Sequence, residues 1–307
     1  YTLWHTLSLH DALPISKICL ATPKYENYRR IRRAIVADLD KAHFPAAPIV
    51  AFGKPVHDRM RLEISRGCTR GCRFCQAGMI YRPARERSPD NLVSLAKTCM
   101  DSTGYEDISL MSLSTGDYTM IAQLTETMMT MCEPEKIAVS LPSLRVGTLT
   151  PQLMEMIKKV RKTGFTIAPE AGSQRLRDAI NKNITHEQIL RTVQDALDLG
   201  WQVIKLYFMI GLPGETKQDL WELVGLVKEL RCFKDARGKK IKLNVSFTTF
   251  IPKAHTPFQW EPQATLEYSK ETIIWMKKEL QTKGVQVKWQ QPEVSRIEGL
   301  FEIGRAH

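Results

Sequence analysis

Cys68-Thr-Arg-Gly-Cys72-Arg-Phe-Cys75 sets three cysteines in one short stretch, with three residues and then two between them. Thiolates are the ligands of iron-sulfur clusters. A tight loop with ligands four and three apart can wrap one corner of a four-iron cube, supplying only three of its four ligands. One iron is then left open to a further ligand. A zinc knuckle or a redox dithiol uses the same residue type, but zinc asks for a fourth Cys or His to close its tetrahedron. The nearest candidates for that place, Cys99 and His57, are poorly spaced for it.

Outward from this loop, short apolar runs rich in β-formers alternate with longer segments of helical period, the pattern of βα units and a parallel sheet. The runs cover residues 60–65, 107–113, 136–141, 164–169, 202–210 and 242–250; the helical stretches cover 89–100, 118–131, 150–162, 173–180, 186–199 and 216–230. Ser88-Pro89, Thr150-Pro151 and Thr185-His-Glu-Gln188 mark helix starts, each with a hydroxyl placed to cap the first turn. A last helix over 266–283 and a strand over 285–289 follow. The cysteine loop comes directly after the first strand. Ser114-Thr-Gly-Asp117, Pro142-Ser-Leu-Arg145, Glu170-Ala-Gly172 and Gly211-Leu-Pro-Gly-Glu215 come after the next four. Ligands of parallel α/β folds gather at the carboxyl ends of strands, so these segments converge on one site.

With 43% hydrophobic and 25% charged residues in 307, the chain has ordinary globular composition. Its seven cysteines, four of them scattered singly, are not a secreted disulfide framework and suit a reducing cytoplasm. No apolar run approaches a membrane span, so no membrane partner is expected. The net charge of +11 gathers at residues 29–33, 158–162 and 239–242. Such clusters suit a polyanion, but a solvated helix face gives the same signal and is the favoured reading of any one of them. The methionines at helical positions, among them Met128, Met129, Met131 and Met154, read as core.

Residues 1–16 and 302–307 read as scars of sequence assembly. Residues 17–58, with a basic segment over 25–43 and prolines at 45, 48 and 55, read as the remnant of an upstream domain and a linker. The organisation expected is a core barrel over 59–260 and a helix-strand extension over 261–301.

The cysteine spacing, with Phe74 before the last cysteine, resembles the signature of the radical S-adenosylmethionine (SAM) superfamily over residues 60–253. More narrowly, Arg66-Gly-Cys-Thr-Arg-Gly-Cys-Arg-Phe-Cys-Gln-Ala-Gly78, Ala168-Pro-Glu-Ala-Gly172, Lys205-Leu-Tyr-Phe-Met-Ile-Gly-Leu-Pro213 and Phe250-Ile-Pro-Lys-Ala-His-Thr-Pro-Phe-Gln-Trp260 are similar to a bacterial branch of it. In that branch a cobalamin-binding-like domain precedes the barrel. No Asp-x-His-x-x-Gly ligand motif is present, so cobalamin is not supported by this sequence.

The resemblance implies an α/β fold, a partial (β/α)6 TIM-like barrel of radical SAM type, and a 4Fe-4S cluster on Cys68, Cys72 and Cys75. It implies an enzyme that cleaves SAM reductively and uses the resulting radical on a substrate the sequence does not name. Phe74 is implied as a wall for adenine, Gly116 and Asp117 as the receivers of the methionine amino group, and Glu170, helped by Ser140, as the ribose contact. Lys182 is the counterpart of the methionine carboxylate, with Lys205 as its rival. Bland roles exist for each: turn glycines at Gly116 and Gly211, a strand-end hydroxyl at Ser140, and a helix C-terminal cation at Lys182. Arg66, Arg70, Arg73, Arg82, Arg85 and Arg87 offer either a docking face for a low-potential donor such as flavodoxin or ferredoxin, or plain solvation. The Gly-Leu-Pro-Gly-Glu and Glu-Ala-Gly segments are also similar to tRNA methylthiotransferases, which makes tRNA modification the alternative activity. RNA is not the favoured partner, since no aromatic platform is interleaved with the basic residues. A metal-binding protein without catalysis is the alternative from another class.

Overall fold

The computed structural model describes residues 33–53, 55, 57–142, 144–147 and 165–303. The chain divides into a unit Tyr1–Ala37 and a unit Asp38–His307, and all the elements below belong to the second. The expected assembly scar over 1–16, residues 25–32 of the basic segment over 25–43, the helix over 150–162 with its Thr150 cap, and the basic cluster over 158–162 lie outside the described residues.

The first half runs β1 (Met60–Glu63), β2 (Ser65–Arg66), α1 (Ala77–Ile80), β3 (Arg85–Glu86), α2 (Pro89–Thr103), β4 (Asp107–Met111), α3 (Ile121–Cys132) and β5 (Ala138–Ser140). The second half runs β6 (Phe165–Glu170), α4 (Gln174–Ala179), α5 (His186–Asp198), β7 (Val203–Ile210), α6 (Lys217–Arg231), β8 (Lys242–Thr249), α7 (Leu266–Glu279), β9 (Val285–Trp289) and α8 (Pro292–Ile303). Strands β1-β4-β5 form one parallel sheet and β6-β7-β8-β9 another; β2 and β3 make a small antiparallel ribbon. In both parallel sheets neighbours follow chain order with no reversal. An open doubly wound sheet needs a switch point where the order reverses. Steady addition on one side is how a barrel wall grows. The six expected strands are therefore present as a partial TIM-like barrel, and β9 adds a further parallel strand beside β8.

Alternation puts one face of each sheet into a core. Ile204, Leu206, Phe208 and Ile210 pack with Val193 and Ala196 of α5 and Leu223, Val224 and Val227 of α6. Leu62, Ile108, Leu110 and Val139 do the same with Leu92 and Ala96 of α2 and Leu124 and Met128 of α3. Met128 is thus core as expected, and Met129 and Met131 pack beside it. The helix starts follow their local signals. Ser88 Oγ accepts from Asn91 N–H at 3.3 Å ahead of Pro89, and Thr185 and Gln188 form a reciprocal capping box. Thr216 and Asp219 form a second box that the sequence reading did not pick out.

Residues 38–46, expected as part of an upstream remnant and its linker, dock on the start of α2: Leu39 is buried, and Ser88 N–H donates to Asp40 Oδ1 at 2.9 Å. Helix α8 was not expected, and Glu302 continues it, accepting from Lys253 Nζ at 2.8 Å. Among the described residues no helix is long and apolar enough to cross a membrane, and every cysteine is a free thiol.

Two contacts fix the loop after β6 against α6. Asp219, 3% exposed, accepts from Ser173 Oγ, from the guanidinium of Arg175 and from Thr216 Oγ1 at 2.6 Å. Burial alone would raise its pKa, but Arg175 and the two hydroxyls outweigh it and hold the carboxyl down at about 2. Beside it Gly172 lies so close to α6 that a Cβ there would stand 2.1 Å from Leu223 Cα. Gly172→Ala must therefore displace backbone, and overpacking of this kind costs about 1–3 kcal/mol or more; a fall in chemical-denaturation midpoint at unchanged slope checks it. Because the folded pKa of Asp219 lies below its unfolded value near 3.8, its stabilisation is present above that value and is lost as pH falls through about 2. The loss amounts to roughly 2 kcal/mol. Asp219→Asn, which lacks that titration, is expected to show a shallower loss of stability between pH 4 and pH 2 in urea melts.

Candidate active site at the carboxyl ends of the strands

The cysteine loop leaves β2 and has no core of its own, so its backbone is held by neighbours. Arg73 N–H donates to Ile180 O at 3.0 Å, Asn181 Nδ2 to Gly71 O at 2.9 Å, and Phe258 N–H to Arg73 O at 3.3 Å. Gly67, at φ +93°, lets the chain pass Tyr81, whose carbonyl oxygen would lie 2.6 Å from a Cβ. The three thiols are half-buried, and each meets one N–H donor: Arg70 N–H at Cys68 Sγ (3.5 Å), Arg145 Nη1 at Cys72 Sγ (3.9 Å) and Gly78 N–H at Cys75 Sγ (3.4 Å). At Cys75 burial pushes the thiol pKa up, and the Gly78 N–H opposes that shift without cancelling it.

Among the described residues no three Cys, His, Asp or Glu gather around a point that could hold a single metal ion. Cys99 is buried in the core with Leu92 and Ala96, away from any such role. The donor set fits a multi-iron cluster, whose thiolates sit on separate irons, better than zinc, whose ligands crowd one ion.

The other expected site residues fall into two ion-paired groups. Gly116 and Asp117 lie in a 3-10 turn, Thr115–Asp117, just past β4. There Asp117 is taken up by Arg70 of the cysteine loop, with Nε to Oδ2 at 2.7 Å and a second bond from Nη2, and it also accepts from Ser114 Oγ at 2.7 Å. Burial would raise its pKa, but Arg70 and Ser114 win and keep it below the ordinary value. Glu170 ends β6 in the left-handed region, φ +68°, after a break in the β6–β7 register. Such a conformation in a non-glycine residue is strained and typical of functional positions. Lys182 Nζ donates to Glu170 Oε1 at 3.0 Å and stands 5.9 Å from the Phe74 ring centroid. Phe74 packs against the apolar cluster of Ala171, Leu176, Ile180, Leu212 and Phe250. Cys68, Cys72, Cys75, Phe74, Asp117, Glu170 and Lys182 are thus linked through one another.

Two candidates stand apart. Ser140 Oγ donates to Ile108 O at 3.3 Å, the bland role of a strand hydroxyl. Lys205 is the third of eight residues in β7, about 16 Å short of the strand's carboxyl end at 3.3 Å per residue, and is exposed.

Sequence reasoning missed Arg177. Its guanidinium is fully buried and donates to the carbonyls of Ala171, Gly172 and Ile184 and to Gln174 Oε1, bracing the loop behind Glu170. No periodic signal distinguishes such an arginine from a solvated one. The arginine face needs correction too. Arg87 is 2% exposed and donates to the carbonyls of Leu39 and Ala42, so it is no part of a docking surface. Arg66 is spent on Glu63, Arg73 on Ala179 O, and Arg82 on Gly78 O.

Fold and loop together define a barrel-type α/β protein that presents a three-thiol loop at the carboxyl ends of its strands. A family-wide sequence profile, that of the Radical SAM superfamily, matches residues 62–227. The chain belongs to this superfamily. It is 38% identical over 246 residues to the uncharacterized protein MJ0966 of Methanocaldococcus jannaschii, covering 80% of this chain and 51% of that one. It is 24% identical over 253 residues to the ribosomal protein uS12 methylthiotransferase RimO of Bdellovibrio bacteriovorus, covering 74% and 55%. The chain therefore spans about half the length of these curated relatives. In fold it is similar to Streptococcus suis SuiB, whose crystal structure was solved bound to the precursor peptide SuiA. The TM-score is 0.53 at 12% identity, covering 78% of this chain and 51% of that one.

The Arg70–Asp117 pair joins residues far apart in sequence, with side chains 37% and 17% exposed. A double-mutant cycle of Arg70→Gln and Asp117→Asn is expected to give a coupling of about 1 kcal/mol in urea melts, discounted for solvent screening. Additive single effects would show the pair to be incidental.

Proposed function

We propose that the chain is the catalytic barrel of a radical SAM enzyme: it holds a 4Fe-4S cluster on Cys68, Cys72 and Cys75, binds SAM beside it, and acts on a substrate in the barrel. The observation that carries the reading is the loop itself, three half-buried thiols each met by an N–H donor and fastened to the end of α4. When bound, the cluster supplies one electron from an external low-potential donor, which cleaves SAM to methionine and a 5'-deoxyadenosyl radical.

This chain's own residues do the binding and orienting. SAM carries an ammonium, a carboxylate and ribose hydroxyls. Beside the loop stand two carboxylates and a lysine that now pair with the chain's own cations and anions. Asp117, now paired with Arg70, would hold the amino group, Lys182 the carboxylate and Glu170 the ribose hydroxyls, with Phe74 beside the adenine. What supports Lys182 over Lys205 for the carboxylate is its place against Phe74 and Glu170, whereas Lys205 lies deep in β7. Ser140, whose hydroxyl is already satisfied by Ile108 O, adds little. The match to a methylthiotransferase keeps sulfur transfer among the possible outcomes of the radical step.

Anaerobically reconstituted protein is expected to bind about four irons on the three-thiolate reading and, once reduced, to release 5'-deoxyadenosine from SAM. Asp117→Asn and Glu170→Gln should keep their iron while SAM affinity falls by about 1–3 kcal/mol, the range for a lost hydrogen bond to a charged or buried partner. Lys182→Met should weaken SAM far more than 5'-deoxyadenosine, which has no carboxylate. Zinc uptake without cleavage, or unchanged affinity in all three variants, would overturn the assignment.

A further inference from the structure

Parallel sheets are usually covered on both faces and read as continuous apolar runs. The sheet β6–β9 departs from this. Its outer face is the apolar core under α5 and α6, but the opposite face alternates to polar residues in every strand. The register sets these in layers: Lys205 beside Asn244, and Asn244 beside Gln286; then Tyr207 beside Ser246, and Ser246 beside Lys288. All six are half-buried or exposed. None of their side chains makes a hydrogen bond or ion pair with another described residue, and this part of the face carries two ammonium groups and no carboxylate.

The face also leads toward the cysteine loop. Met209 follows Lys205 and Tyr207 on the same side of β7, and it packs against the apolar cluster that Phe74 joins. By strand spacing and rise, the Cα atoms of Lys205 and Lys288 stand about 12 Å apart, close enough for two lysine side chains to close on one group between them. A lysine on a concave wall with no partner holds an uncompensated charge. Its field is focused by the apolar layers behind it, so the complementary ligand is an anion.

We propose that this inner face binds an anionic small-molecule substrate, its carboxylate or phosphate held between Lys205 and Lys288, with the Tyr207 hydroxyl and the Asn244 amide as further hydrogen-bonding groups. The inference rests on the radical SAM reading for the word substrate, though not for the binding itself. It also gives Lys205 a role other than the one its sequence position suggested.

The test is calorimetric titration of the full chain at 150 mM KCl with citrate and with pyrophosphate, one probe for each anion. Saturable binding of one of them is expected, and the tighter of the two identifies the class. In Lys205→Gln/Lys288→Gln the affinity should fall at least tenfold, while the charge-keeping Lys205→Arg/Lys288→Arg retains most of it. Lys97→Gln/Lys278→Gln, which removes the same charge elsewhere, should change it less than twofold. Equal losses in the two Gln pairs would mean attraction to the bulk charge of +11 and would overturn the site. No saturable binding, or binding only of a short single-stranded RNA that ignores both small probes, would overturn it as well. Cleavage of SAM by the reconstituted wild-type protein is scored separately: its absence defeats the enzyme reading and leaves the anion site standing, whereas cleavage without anion binding does the reverse.

Discussion

The backbone clasp between the cysteine loop and the end of α4 is the constraint on which the site depends. Among the described residues, the sheet β1-β4-β5 and the sheet β6-β7-β8-β9 share no strand pairing. What ties the loop after β2 to the second half is a handful of hydrogen bonds: Arg73 N–H to Ile180 O, the Asn181 amide to Gly71 O, and Phe258 N–H to Arg73 O. A loop that leaves three thiols half-exposed buries few apolar side chains of its own, so main-chain bonds to a rigid neighbour replace packing. Only Phe74 enters a core, and that core is built by the far half: Ala171, Leu176, Ile180, Leu212 and Phe250.

The same economy governs the charges around the loop. Asp117 and Glu170 come from the ends of different strands, and each is met by a cation from elsewhere, Arg70 and Lys182. A partly buried carboxylate without a partner is costly, and one paired too well cannot exchange. Neither pair is surface-exposed, with side chains 37% and 17% exposed for Arg70 and Asp117 and 11% and 17% for Lys182 and Glu170, so each cation offsets the cost of burying its carboxylate. Arg177 is the contrasting case. It is fully buried, its donors are spent on carbonyls of the Glu170 loop, and burial depresses its pKa. It holds a shape and is not available for exchange.

How much of this was legible in the sequence follows from the range of each signal. The strands β1 and β4–β8 were readable because alternation and β-formers act within a few residues, and the caps at Ser88 and Thr185 because a hydroxyl and its target N–H are three residues apart. The thiols were readable because their spacing is local. Helix α8 was missed, although Pro292 at its start followed by Val294, Ile297 and Phe301 is a legible helical pattern; the extension was read as one helix and one strand. The Arg70–Asp117 pair, 47 residues apart, leaves no local trace. The burial of Arg87 and Arg177 is equally silent, because an arginine's sequence neighbours do not say whether its guanidinium will meet water or carbonyls.

Lys205 shows what register adds to motif. In the sequence it opens a stretch similar to a family motif, and that places it beside Lys182 as a rival for one role. In the sheet it is separated from Lys182 by most of the length of β7 and brought level with Asn244 and Gln286, on a face where Tyr207, Ser246 and Lys288 come next. A solvent-facing sheet of an ordinary soluble domain would pair such lysines with Glu or Asp across the strands, since opposite charges side by side stabilise and like charges do not. Here the cross-strand neighbours are amides and hydroxyls. Those side chains can donate or accept with equal ease, so they add hydrogen bonds to a ligand without cancelling the lysine charge that selects it. A wall built this way is poorly satisfied when empty, and its physical justification is the anion that completes it.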